Sequence, residues 1–227
     1  MQKHQSSEKA ASVLRPTTPP DIAERSQRQR ILDAMIDSCA EKTYAATTIT
    51  DIVARAHISR TTFYKHFDDK RACFDGAIDY CIEQLKEVAA SAHLPEDAPP
   101  AAVRKGAGAV LQALAARPGL AQLLTGDAIA VEPKVVECYR KATLPPIERL
   151  WSPGGESTTA YSDPRLAFGQ AQVLILNKIA TGNADRLPEL LPEVVYLAVS
   201  PFGGHEEALE QSRIAKEIPV GGAAPSD

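Results

Sequence analysis

TTITDIVARAHISRTTFYKHFDDK, residues 47–70, reads as two short helices joined by a tight turn. The first should start at Thr48, whose side chain can cap orphan N–H groups, with Asp51 three positions on as in a capping box. Ile52 and Val53 are apolar, Ala54 and Ala56 are small, and the helix should end near Ala56. His57-Ile58 is the expected turn. Ser59 is a good N-cap for a second helix over Arg60 to His66. Phe63 and Phe67 lie four apart and should face inward, which leaves Arg60, Thr61, Tyr64 and Lys65 largely on the outer face. This is the layout of a helix-turn-helix, whose second helix enters the major groove of DNA with its N-terminal residues toward base edges. The plainer alternative is a helical hairpin with a solvated polar face. Against it stand two capped helices, a tight turn and a Phe-Tyr-Lys-His-Phe run in one segment.

The residue types suit the roles. Arg60 can donate a bidentate pair to guanine O6 and N7. Thr61 offers a methyl for thymine and a hydroxyl for a base edge. Thr62, Tyr64, Lys65, His66 and Lys70 suit phosphates, which fix register but carry little sequence information. Ser59 sits at the same end as Arg60 and joins the candidate contacts.

With those residues in view, the segment closely resembles the DNA-binding signature of the TetR (tetracycline-repressor-like) regulators. The preceding QRILDAMIDSCA, residues 29–40, matches as well, and the strong resemblance covers roughly residues 27–80. It implies that Thr48 and Thr50 in the first helix face DNA together with Arg60, Thr61, Thr62, Tyr64, Lys65 and His66. It also implies that Lys70 matches the family's phosphate-binding lysine. One departure stands in the turn, where the family usually has glycine and this chain has His57. Glycine takes a positive φ at no steric cost. Histidine is enriched there but strained, so an altered turn within an intact motif is expected.

Composition agrees. Helix formers dominate the 227 residues and aromatics are few, so the expected class is all-α. The resemblance implies an N-terminal three-helix DNA-binding bundle followed by a larger helical ligand-binding and dimerisation domain. The chain carries a net charge of −4, yet from Arg25 to Lys70 eight Lys and Arg outnumber six Asp and Glu. Local distribution matters for DNA, and here the acidic surplus lies elsewhere. Apolar stretches fall short of the ~18 residues a membrane span needs, and the N-terminus lacks an apolar signal core. No membrane partner is expected, and the cytoplasm is the expected compartment. Cys39, Cys73, Cys81 and Cys138 form no C-x-x-C pair or zinc spacing, so no metal and no cofactor are expected. Buried structural thiols are the favoured reading over redox sensing.

Residues 1–24 read as a disordered arm, 25–70 as the reader domain, 71–215 as the helical body and 216–227 as a disordered tail. Arg25 and Arg28, at the arm's end, are either minor-groove and phosphate contacts or a solvated first turn. Helix one is expected over Ser26 to Glu41, with Ile31, Leu32, Met35, Ile36 and Cys39 as its buried stripe and Tyr44 closing the bundle's edge. A long helix from Asp69 to Ala92 should run from under the reader into the body. Further helices are expected at Pro100 to Ala116, Pro118 to Thr125, Glu132 to Trp151, Pro164 to Thr181 and Leu187 to Ser200.

Ala167 to Ile179 and Leu187 to Val199 are apolar over wide arcs and need cover on more than one face. A second copy is the expected cover, through Leu174, Leu190, Leu191, Val194, Val195 and Ala198; the alternative is that these helices line the chain's own core. The resemblance implies the same two-fold dimer, and a dimer would read a palindromic operator. It also implies a small-molecule inducer pocket between the long helix and the helices of Ala101 to Thr181. Tyr139, Arg140, Trp151, Phe168, Gln170 and Asn177 are the polar or aromatic candidates there, with Gln170 and Asn177 on one helix face.

The expected function is a homodimeric transcriptional repressor released by an inducer. An activator, or a DNA-binding protein of this fold that needs no ligand, is the near alternative. A helical small-molecule or protein-binding module without regulatory DNA binding is the distant one. No phosphate loop, H-E-x-x-H, G-x-S-x-G or paired-carboxylate motif supports an enzyme, and no catalytic residue is assigned.

Overall fold

The computed structural model describes residues 27–123, 145, 147–149 and 163–218. The expected arm, Arg25, Cys138 and nearly all of the helix expected over Glu132 to Trp151 lie outside these residues. Among the described residues, every regular element is helical. In chain order these are α1 (Gln27–Ala46), α2 (Ile49–Arg55), α3 (Arg60–His66), α4 (Lys70–Ser91), α5 (Pro99–Ala116), α6 (Pro118–Gln122), α7 (Pro164–Ala180), a 3-10 segment (Ala184–Leu190) and α8 (Leu191–Lys216).

Local chemistry explains most of these boundaries. Thr48, Ser59 and Asp69 accept N–H bonds from Asp51, Thr62 and Ala72, which starts α2, α3 and α4. Pro99, Pro118 and Pro164 sit in first turns, where a missing N–H removes nothing. At the end of α2, His57 takes φ 53°. Its N–H donates to Ala54 O at 3.3 Å and that of Ile58 to Val53 O at 3.1 Å. Those paired bonds are a Schellman cap, and the turn keeps its form with histidine in the left-handed position.

α1 breaks near where the sequence placed its end. Thr43 adopts φ 73°, ψ 159°, and its carbonyl takes both the N–H (3.1 Å) and the hydroxyl (2.8 Å) of Thr47. The buried stripe of α1 is the expected one, with Ile31, Leu32, Met35, Ile36 and Cys39 all fully enclosed. Tyr44 packs against Phe74 with tilted rings, their centroids 4.3 Å apart. Each fully buried side chain of this size contributes about 1.5–3 kcal/mol. The stripe therefore outweighs any single cap.

The core is continuous from Ile31 in α1 to Ala215 in α8, and α4 spans it. Cys39, Cys73 and Cys81 are buried and form no disulfide with one another. Burial pushes the Cys73 and Cys81 thiols up to about 12, so the reactive thiolate is suppressed.

The last helix departs from expectation. The segment expected to be helical from Leu187 begins as a 3-10 turn, and α8 starts only at Leu191. It does not stop at Ser200. Gly204 takes φ 79° and absorbs a kink after Pro201, and helix resumes to Lys216. Ala208, Gln211 and Ala215 bury the second half. Gln211 accepts from Arg104 of α5 at 2.9 Å and donates to Glu207 at 3.0 Å.

Candidate DNA-binding interface

α3 is held by its inner face. Phe63 is fully buried and meets Phe67 at 5.9 Å between centroids. The helix is only seven residues long and would not form alone. Its position comes from these rings, the Ser59 cap and the turn behind it. Arg60, Thr61, Tyr64 and Lys65 consequently point outward and are exposed. Among the described residues, none of the four side chains makes a hydrogen bond or ion pair. Tyr64 keeps its ring edge-on to Phe63 at 5.4 Å, which steadies it and leaves its hydroxyl outward.

The other expected contacts divide. Thr50 is exposed on α2. Ser59 Oγ accepts from Thr62 N–H at 3.0 Å and lies 2.9 Å from Thr62 Oγ1, so these two hydroxyls are engaged with each other. Thr48 is exposed but committed to its cap: Asp51 Oδ2 accepts from its N–H at 2.9 Å and its hydroxyl at 2.8 Å. His66 is half-buried, with Nε2 3.5 Å from Gln27 Oε1. Arg28 is exposed, and its guanidinium lies over the Phe67 ring, 5.1 Å from the centroid.

Lys70 differs most from expectation. Its Nζ donates to the carbonyls of Tyr44 and Thr47, both at 2.9 Å, and sits 4.2 Å above the Tyr44 ring centre. The ammonium closes the open carbonyls after the α1 break. A phosphate role leaves it one N–H.

Sequence reasoning missed the ties between α1 and α2. Lys42 Nζ donates to Asp51 Oδ1 at 2.6 Å, and Arg55 pairs with Glu41. The hydrogen bond from Lys42, aided by those from Thr48, holds the Asp51 carboxyl well below its ordinary value of 3.8. A depressed carboxyl stabilises the fold above its unfolded value, and that contribution is lost as pH falls toward the native one.

In the body, Gln170 and Asn177 share a face of α7, as their spacing implied. That face is the exposed one, shared with Leu166 (69% exposed) and Val173 (62%). Both amides are therefore exposed among the described residues and not enclosed by them. α7 is apolar on several sides, and spacing alone could not say which side faced in. Phe168 is half-buried; Tyr139, Arg140 and Trp151 lie outside the described residues. Among the expected dimer contacts, Leu191 and Val195 are buried within this chain, Leu191 against Gly108 of α5. Leu174, Leu190, Val194 and Ala198 are half-buried. No helix among the described residues is long and apolar enough to cross a membrane.

Comparison with known proteins agrees with this geometry. Residues 31–77 match the family model described as bacterial regulatory proteins, tetR family. A 61-residue stretch is 30% identical to the biofilm operon HTH-type negative transcriptional regulator IcaR of Staphylococcus aureus, covering 27% of this chain and 33% of the relative. The match thus spans about a third of the length of the curated relatives. The fatty acid degradation regulator FadR of Bacillus halodurans shares the fold with a TM-score of 0.66 at 20% identity, over 84% of this chain and 98% of the other. A TetR-like transcriptional regulator of Rhodococcus sp. RHA1 does so with a TM-score of 0.58 at 21% identity, over 78% and 96%. The helix-turn-helix segment is thus similar to that of tetR-family regulators, and the fold around it is similar to that of solved TetR-like structures.

Proposed function

We propose that this chain is a sequence-specific DNA-binding repressor that acts as a homodimer on a palindromic operator and is released by a small-molecule inducer. The observation that supports it best is the outward row of α3. Arg60, Thr61, Tyr64 and Lys65 stand exposed on a helix whose own bonds are already satisfied by caps. Base reading falls to Arg60 and Thr61, and phosphate contact to Tyr64, Lys65 and the flanking Thr50, Arg28 and Arg25. The name of the IcaR relative, a negative transcriptional regulator, supports repression.

Residues 25–70 form the reader and 71–215 the body. A second copy covers the exposed face of α7, where Leu166 and Val173 are the apolar contacts and Gln170 and Asn177 the amides between them. The inducer pocket lies among the helices of Ala101 to Thr181, with Phe168, Tyr139, Arg140 and Trp151 as contacts. An inducer can release DNA only through its different affinity for the two dimer geometries.

Selection of bound duplexes from a random library tests the reading. The expected product is a palindrome with half-sites about one turn, ~34 Å, apart. Binding should fall steeply with salt as counterions are released. Recovery of no preferred sequence sinks the proposal.

A further inference from the structure

An open cleft of about 500 Å³ lies between α1, the end of α2 and the joint of α5 and α6. Small residues give it room: Ala34, Ala40, Ala56 and Gly119 all line it. A Cβ added at Gly119 would stand 2.8 Å from Ala40 Cβ, so α6 comes close to α1 there. Three arginines, three carboxylates and His57 complete the lining among the described residues.

Four of these charges satisfy one another. Arg117 donates from Nη2 to Asp33 Oδ1 at 2.8 Å, in a pair whose side chains are only 13% and 6% exposed. Arg55 pairs with Glu41. Arg30 and Asp37 are left over. Among the described residues the Arg30 guanidinium makes no hydrogen bond or ion pair, and its Nε is enclosed without an acceptor. An unmet charged donor is costly, so an added acceptor is favoured there. Asp37 Oδ1 lies 3.8 Å from Arg117 Nη2, beyond hydrogen-bond reach, and its side chain is 40% exposed. Burial raises the Asp37 carboxyl more than Arg117 lowers it, so the guanidinium does not fully compensate the acid.

Arg30 and Asp37 stand seven residues apart on α1, about 10.5 Å along its axis, and do not pair with each other. An anion alone would meet the Asp37 carboxylate, and a cation alone would meet Arg30. A molecule that carries both charges, several ångströms apart, satisfies both groups.

We propose that this cleft binds a linear zwitterion, its carboxylate on Arg30 and its ammonium on Asp37, with the carbon chain across the small residues between. α1 and α2 supply most of the lining among the described residues, so this is a site apart from the inducer pocket of the body. It stands or falls independently of operator binding.

Equilibrium dialysis of the full chain tests it. The probes are β-alanine, γ-aminobutyrate and ε-aminocaproate, a series of growing charge separation, beside caproate and hexylamine, which carry one end each. At least one zwitterion should bind, and the two single-ended compounds should bind about tenfold more weakly or worse. Arg30→Gln should weaken the bound zwitterion about tenfold and erase the preference over hexylamine. Asp37→Asn should weaken it about as much and erase the preference over caproate. Arg30 is partly buried, and its variant can fail to fold; the part-exposed Asp37 then decides alone. Three results overturn the proposal: no zwitterion of the series binds, a single-ended compound binds as well as the best of them, or zwitterion binding survives Asp37→Asn unchanged.

Discussion

The outward row of α3 is Arg60, Thr61, Tyr64 and Lys65; that of α7 is Leu166, Gln170, Val173 and Asn177. Both helices pack their other side on the same continuous core, so the contrast reports what lies beyond each row. Water solvates the first row well, and a polyanion satisfies it better. The second leaves Leu166 and Val173 more than half exposed, with amides spaced between them that can pair across a protein interface. One row should bind in a way that salt weakens. The other should bind mainly by burying apolar area, which salt does not screen.

Breaking the α7 row tests the contrast most severely. Val173→Asp places a carboxylate, and by symmetry its copy, in the proposed dimer contact. Removal of an unpaired charge from water costs about 3–5 kcal/mol in such settings. Sedimentation should show monomers, and operator binding should collapse while α3 stays folded. A variant that remains dimeric with full operator affinity would place the partner contact elsewhere.

Arg60→Ala breaks the other row. It should cost ~1–3 kcal/mol on the operator, relax base preference and leave the dimer intact. Equal losses on operator and scrambled duplex would make Arg60 a phosphate contact.

Lys70→Gln separates the row of α3 from the scaffold beneath it. Two charge-assisted bonds to the Tyr44 and Thr47 carbonyls are lost, so stability should fall by about 1–2 kcal/mol. The salt slope of binding should hardly change, since the ammonium is spent inside the reader. A slope reduced by about one for each copy would restore the phosphate role.

The two rows were also unequally legible. Everything that fixes α3 is local: Thr48, Ser59 and Asp69 cap neighbours three residues away, and a four-residue spacing sets Phe63 and Phe67 inward. The face of α7 was legible as a face but not as an outside, because leucines and isoleucines surround the helix and only tertiary packing selects among them. Leu191 and Val195 show the same ambiguity, since a buried stripe looks alike whether its cover is this chain or another. Pro201-Phe202-Gly203-Gly204 reads as a stop. The helix resumes because Gly204 can take a positive φ and the residues beyond it have a core to enter. Lys70 reaches carbonyls 23 and 26 residues back, a contact no periodicity encodes.

The smallest effects lie within the reader, at its two left-handed residues. Thr43, at φ 73° and ψ 159°, occupies a region essentially reserved for glycine, and a β-branched side chain fits it worst. His57, at φ 53°, occupies the left-handed helical region that histidine tolerates. Glycine would relieve about 1–3 kcal/mol of strain at such a position but adds roughly 0.5–1 kcal/mol of unfolded-state entropy. Thr43→Gly should therefore gain ~1 kcal/mol, visible as a rise in Tm, while His57→Gly should stay within about 0.5 kcal/mol of zero. Neither touches the outward row of α3, so operator preference should be unchanged in both. If His57→Gly proved the more stabilising, the strain would sit in the reading turn and not at the break of α1. Histidine would then hold the turn's place against a real cost, beside the cleft that Arg117 also lines.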